Sequence, residues 1–159
     1  MDTKKFTLIT DSDFDYEYFE DLVGELDGLL PTKSPLYKYY KKKKVLAMIL
    51  RTAYRTGQLF MYADKEGNVA GLLMCHVDNL WWIDGNVLVE DLLISLSHRP
   101  TGFGSFAISE LETIARISGC KIICTGSSMV KDSTPIRNMY KNSGFVVYGE
   151  SYLKEVNSL

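Results

Sequence analysis

The stretch from residue 89 to 104 holds the residue types best suited to chemistry. It reads Val-Glu-Asp-Leu-Leu-Ile-Ser-Leu-Ser-His-Arg-Pro-Thr-Gly-Phe-Gly. A β-rich run passes through a short loop directly into a helical pattern. Gly102 and Gly104 let the main chain come close to a ligand. The N–H groups at a helix start, carrying a charge of roughly +0.5, suit a phosphate. The loop therefore reads as a pyrophosphate cradle. Residues 102–107 also fit G-x-G-x-x-A, the dinucleotide fingerprint. That fingerprint needs an acid ending the next strand, about 20 residues on. Here the next strand ends Thr125-Gly126-Ser127-Ser128, and only 55 residues follow Gly104. Too little chain remains for the missing βα units, so context excludes a nicotinamide dinucleotide.

The elements that must position this loop follow from periodicity. Residues 6–10 read as a first strand. Phe14, Tyr18, Leu22, Leu26 and Leu29 then mark one face of an amphipathic helix. Its other face is acidic: residues 11–27 hold eight of the chain's 20 acids and no Lys or Arg. A second helix is expected from Ser34-Pro35, because proline suits a first helical turn, to a stop at Gly57. Residues 31–55 hold eight of the 18 basic residues, including Lys41 to Lys44. That run reads as a solvated helix face or a binding surface. Residues 59–63, 69–77 and 87–95 are three apolar runs separated by turns, which predicts an antiparallel meander. Phe103, Ala107, Leu111 and Ile114 give the clearest helix, over 102–119. Residues 120–125 read as a central strand, parallel to 87–95 through a right-handed crossover. A short helix runs from Ser133-Thr134-Pro135 to Asn142, and 145–156 is expected as the last strand. The order is β-α-α-β-β-β-α-β-α-β, in one domain spanning 1–159.

Composition narrows the classes. A chain of 159 residues, 46% hydrophobic and 24% charged, has the make-up of a globular domain with its own core. The net charge of −2 weakens a nucleic-acid-binding reading. Cys75, Cys120 and Cys124 lack C-x-x-C spacing and form no ligand set with His76 and His98, so neither a metal site nor a disulfide framework is expected. His76 is expected as a packed or hydrogen-bonded core histidine rather than a catalytic one. No run approaches the roughly 20 apolar residues of a membrane span, and the N-terminus does not resemble a signal peptide. These features point to the cytoplasm, with no membrane partner.

From Arg99 the loop reads R-x-x-G-x-G, and it resembles the acetyl-coenzyme A loop of GNAT-type N-acetyltransferases. The element order resembles the GNAT order along nearly the whole chain. Residues 136–145, Ile-Arg-Asn-Met-Tyr-Lys-Asn-Ser-Gly-Phe, resemble the family's Y-x-x-x-G-F helix end. The short tail is similar to compact GNATs of bacteriophages. The resemblance implies an α/β fold with a mixed, mostly antiparallel central sheet flanked by about four helices. It implies acetyl-CoA as cofactor and direct acetyl transfer, in a ternary complex, to a small-molecule or protein amine. It also allows a homodimer.

The residue roles follow from the same resemblance. Arg99, Thr101, Gly102, Phe103, Gly104 and Ser105 would hold the pyrophosphate, mainly through main-chain N–H groups. Pro100 has no N–H to offer. The main chain of Leu92, Leu93 and Ile94 would pair with the pantetheine arm like an added strand. Ser133 stands where many members carry an asparagine that contacts the cofactor. Tyr140 stands where the family places a tyrosine that protonates the departing thiolate; otherwise it is a packed aromatic. Glu90 is the first candidate base for the acceptor amine and Asp91 the second, and alternation points them to opposite faces. Trp81, Trp82, Tyr37, Tyr39 and Tyr40 either wall an acceptor pocket or pack in a core or dimer contact. No cysteine is expected at the thioester. The alternative to an enzyme is a GNAT-fold binding module without transfer activity.

Overall fold

Three apolar runs divided by turns build the middle of the sheet. The structure, a computed structural model, describes residues 6–9, 19–20, 23–24, 35–52, 59–95, 102–126 and 133–149. Five strands stand in chain order across the sheet: β1 (Thr7–Leu8), β2 (Leu59–Ala63), β3 (Val69–Asp78), β4 (Val87–Ser95) and β5 (Ile122–Cys124). The first four are antiparallel neighbours, and β5 lies parallel to β4. The sequence order holds through these strands.

Three α-helices lie wholly within the described residues: α1 (Lys42–Arg51), α2 (Phe103–Ile117) and α3 (Thr134–Asn142). The expected helix start at Pro35 is instead a 3-10 segment, Pro35–Tyr39, and α1 begins only at Lys42. Among the described residues no side chain caps α1, and Lys41 to Lys44 are exposed. Residues 19–20 and 23–24 are helical, as the acidic helix requires; the rest of that helix and the stop at Gly57 lie outside the described residues.

Each face of the sheet carries its own core. On one face Met61, Leu72, Met74, Leu92 and Ile94 pack with Phe19, Val23, Leu46 and Ile49. On the other Tyr62, Leu73, Cys75 and Leu88 pack with Phe103, Ala107, Leu111 and Ala115 of α2. Burial of this apolar surface is the main force holding the helices to the sheet. Phe103 fixes the start of α2: its ring lies so close to Gly71 that a Cβ there would strike the ring and the Ile94 carbonyl. The Tyr62 hydroxyl donates to Glu110 Oε2 at 3.1 Å and ties α2 to β2.

The last expected strand is corrected. Residues 145–149 join no sheet ladder, and Val146 is 83% exposed; residues 150–156 lie outside the described residues. β-propensity expresses packing on a neighbour, and Val146, Val147 and Tyr148 are exposed, while Phe145 packs on the Tyr140 ring rather than on a strand. The tryptophans are not in the core either. Trp81 is 90% exposed in the β3–β4 turn, edge-on to the exposed Trp82.

Candidate active site

The site is built where β4 loses its regular pairing on both edges. Against β3, Cys75 faces Glu90 while Met74 faces Leu92, so Asp91 is an extra residue without an opposite number. This is a β-bulge, which bends a strand and re-aims its side chains. Against β5, pairing covers only Val87 to Val89. From Glu90 to Ser95, no strand among the described residues pairs with the outer edge of β4.

Glu90 and Asp91 turn to opposite faces. Glu90 lies across from Cys75, on the α2 face. There the Tyr140 hydroxyl of α3 donates to Glu90 Oε2. Thr125, just past β5, also hydrogen-bonds to Tyr140. Asp91 Oδ2 lies 2.7 Å from Nδ1 of His76, on the other face. Burial pushes the Glu90 carboxyl up to about 7; the Tyr140 hydrogen bond opposes that rise and the Asp91 charge adds to it. Burial, then the neighbouring Glu90 carboxylate, holds the Tyr140 hydroxyl protonated far above the neutral range. Tyr140 is therefore a protonated hydroxyl whose hydrogen lies in the bond to Glu90.

A thiol stands on β3, against the inner edge of β4. Cys75 is buried opposite Glu90, and burial with the adjoining carboxylates pushes its thiol up to about 12. Such a thiol is a poor nucleophile, because the thiolate is the reactive form.

The glycine loop is described only from Gly102. Arg99, Pro100 and Thr101 lie outside the described residues, as does His98. Gly102 caps α2 in the left-handed region, φ 72°, where a side chain is disfavoured. No side chain caps this helix start. The first helical bond runs from the Phe106 N–H to the Gly102 carbonyl, so the helix supplies no acceptor for the N–H groups of Gly104 and Ser105. Gly104 has a packing reason as well, because Met139 of α3 lies where its Cβ would stand. The side chains of Leu92 and Ile94 are buried in one core and Leu93 packs on the other, which leaves their main chain for contact. Ser133 precedes α3, the helix that carries Tyr140 to the bulge.

Sequence reasoning brought Glu90 and Tyr140 forward separately and missed their contact and Thr125; His76 is hydrogen-bonded, as expected, but part-exposed rather than in the core. Counting back from the hairpin closed by Asp78 and Val87 sets Cys75 across from Glu90. No local signal announces the bulge.

The model of the Acetyltransferase (GNAT) family matches residues 19–145. Solved structures share the fold at low identity. A putative acetyl transferase from Pyrococcus furiosus is 14% identical over 95% of this chain and 99% of its own, with a TM-score of 0.66. An aminoglycoside 6'-N-acetyltransferase from Acinetobacter haemolyticus is 12% identical over 96% and 99%, with a TM-score of 0.63. A predicted acetyltransferase from Clostridium acetobutylicum, solved with acetyl-CoA, is 14% identical over 96% and 94%, with a TM-score of 0.62. No curated protein matches the chain by sequence.

Proposed function

The chain belongs to the GNAT acetyltransferase family, whose cofactor is acetyl-CoA, and from that premise we propose that it transfers acetyl directly to a primary amine in a ternary complex. The observation that carries this reading is the open outer edge of β4 beside the Tyr140–Glu90 hydrogen bond.

The chain's features fit the carrier. The edge from Glu90 to Ser95, unpaired among the described residues, offers main-chain groups to an amide-bearing arm, as an added strand would. The start of α2 offers the Gly104 and Ser105 N–H groups to a diphosphate, with Arg99 and Thr101 of the loop assigned to it by the family motif. When bound, acetyl-CoA supplies an activated acetyl group and a thiolate that can leave.

The chain's own groups handle the protons. Tyr140 gives its proton to the leaving sulfur. Glu90 holds that hydroxyl in place and passes a proton back to it. Cys75 stays protonated, which favours direct transfer over an acetylated enzyme. Glu90 is committed to Tyr140, so the Asp91 side of the sheet is left for the acceptor. The Acinetobacter structure is named for aminoglycosides, so a small polyamine-like acceptor is the first to try. The reading places the reaction in the cytoplasm, where the three free thiols persist.

The test is calorimetry with acetyl-CoA, followed by mass spectrometry of amine panels and lysate fractions for the gain of one acetyl group. Saturable carrier binding with acetyl gain supports the reading. Binding with no transfer across the panels points to the binding module, and no binding at all removes the cleft from the account.

A further inference from the structure

Two adjacent carboxylates at the bulge hold different partners on different faces. Glu90 has Tyr140. Asp91 has His76, with Oδ2 and Nδ1 at 2.7 Å. A carboxylate only accepts hydrogen bonds, so Nδ1 of a neutral ring carries the hydrogen and Nε2 keeps its lone pair. The His76 and Asp91 side chains are 35% and 33% exposed. The ring is thus part-exposed while the carboxylate fixes its orientation. Asp78, two residues along β3, lies on the same face and adds negative charge there.

The two faces are not equivalent. Hydrogen bonds given by a strand edge lie in the plane of the sheet, and a carbonyl accepts near its own plane. A thioester held on the open edge of β4 therefore turns its two carbonyl faces to the two faces of the sheet. Tyr140 and Glu90 close one side. An amine must then come from the side where His76 stands.

We infer that His76, oriented by Asp91, removes the proton from the acceptor ammonium, while Glu90 serves Tyr140. This rests on the acetyl-transfer reading above. The protons balance. An ammonium loses two on becoming an amide, as the C–N bond forms and the C–S bond breaks. One passes through His76 Nε2 to solvent. The second also leaves through His76 to solvent once the C–N bond has formed, and Tyr140, having given its proton to the sulfur, regains one from solvent through Glu90, so the protein ends as it began. Imidazole is a common general base, and a carboxylate behind it fixes the tautomer.

The test has two arms. The chain has only two histidines, so nitrogen NMR of the wild type and His76→Gln assigns the ring. The neutral His76 ring should carry its hydrogen on Nδ1, and Asp91→Ala should move it to Nε2. The second arm follows thiol release from acetyl-CoA, above the uncatalysed rate, with benzylamine and with hydroxylamine. Benzylamine is an ammonium at neutral pH and needs a base; hydroxylamine is already neutral. In His76→Gln the loss with benzylamine should exceed the loss with hydroxylamine by about tenfold or more. Imidazole should restore benzylamine transfer in His76→Gly. Acetyl-CoA calorimetry on each variant checks that the fold is kept. A wild-type ring protonated on Nε2, equal losses with both nucleophiles, or no loss would overturn the inference. A wild type that binds acetyl-CoA and transfers to neither nucleophile would bring down the transfer reading and the inference with it.

Discussion

The Met139 thioether of α3 occupies the space in which a Cβ on Gly104 would stand. Gly71 is also crowded, but there the neighbours are the buried Phe103 ring and the Ile94 carbonyl. The two glycines thus differ in what would have to give way.

Gly71→Ala should cost about 3 kcal/mol, because neither a packed ring nor a strand carbonyl can retreat cheaply. Gly104→Ala should change stability by less than about 1 kcal/mol, since a flexible thioether can swing aside and alanine favours a helix. Thermal or denaturant melts of both variants check this. Equal losses would mean that the α2–α3 contact is as rigid as the sheet.

Gly102 makes a different demand. Its φ of 72° should make Gly102→Val cost about 1–2 kcal/mol or more, and acetyl-CoA binding should be lost. Gly102→Asn, which tolerates that region better, should keep most of both. Calorimetry with acetyl-CoA decides, and a valine variant that binds normally would remove this helix start from the cleft.

Tyr140→Phe should lower kcat by about 10²-fold while leaving carrier affinity nearly intact. The same change removes the hydrogen bond that restrains the Glu90 pKa, so that carboxyl should titrate higher still. Steady-state rates and a carbon NMR titration of Glu90 would show both effects. Unchanged turnover would take Tyr140 out of the mechanism.

Glu90 also predicts a pH dependence of stability. Its folded value of about 7 lies above the ordinary 4.5, so the folded state holds the proton more tightly than the unfolded one. Stability should fall as pH rises from about 4.5 to 7 and then level off, by an amount on the order of 3 kcal/mol. Glu90→Gln should flatten that slope. Denaturant melts across the window measure it, and a slope equal in both proteins would assign it to other groups.

The parts of this molecule that were legible in its sequence are those set by neighbours along the chain. Phe103, Ala107 and Leu111 recur at helical spacing and are buried on one face of α2, as the pattern demands. The three apolar runs between turns became β2, β3 and β4. The bulge was not legible, because it is a mismatch between two strands and neither strand alone encodes it. Glu90 meets Tyr140 across 50 positions, so their pairing depends on how α3 packs on α2. The run Phe145-Val146-Val147-Tyr148 has the composition of a strand and is not one, since composition does not supply a partner.

β5 meets β4 over only three residue pairs, and α3 follows it in the chain. The hydroxyl that most needs accurate placement is thus borne by a helix that follows a strand held on β4 by three rungs. Amides at 122–124 should exchange with deuterium well before those in the middle of β3, where pairing runs along both sides. A pantetheine arm lodged along the neighbouring edge would bridge that weak seam, and its arrival would stiffen the wall that presents the proton.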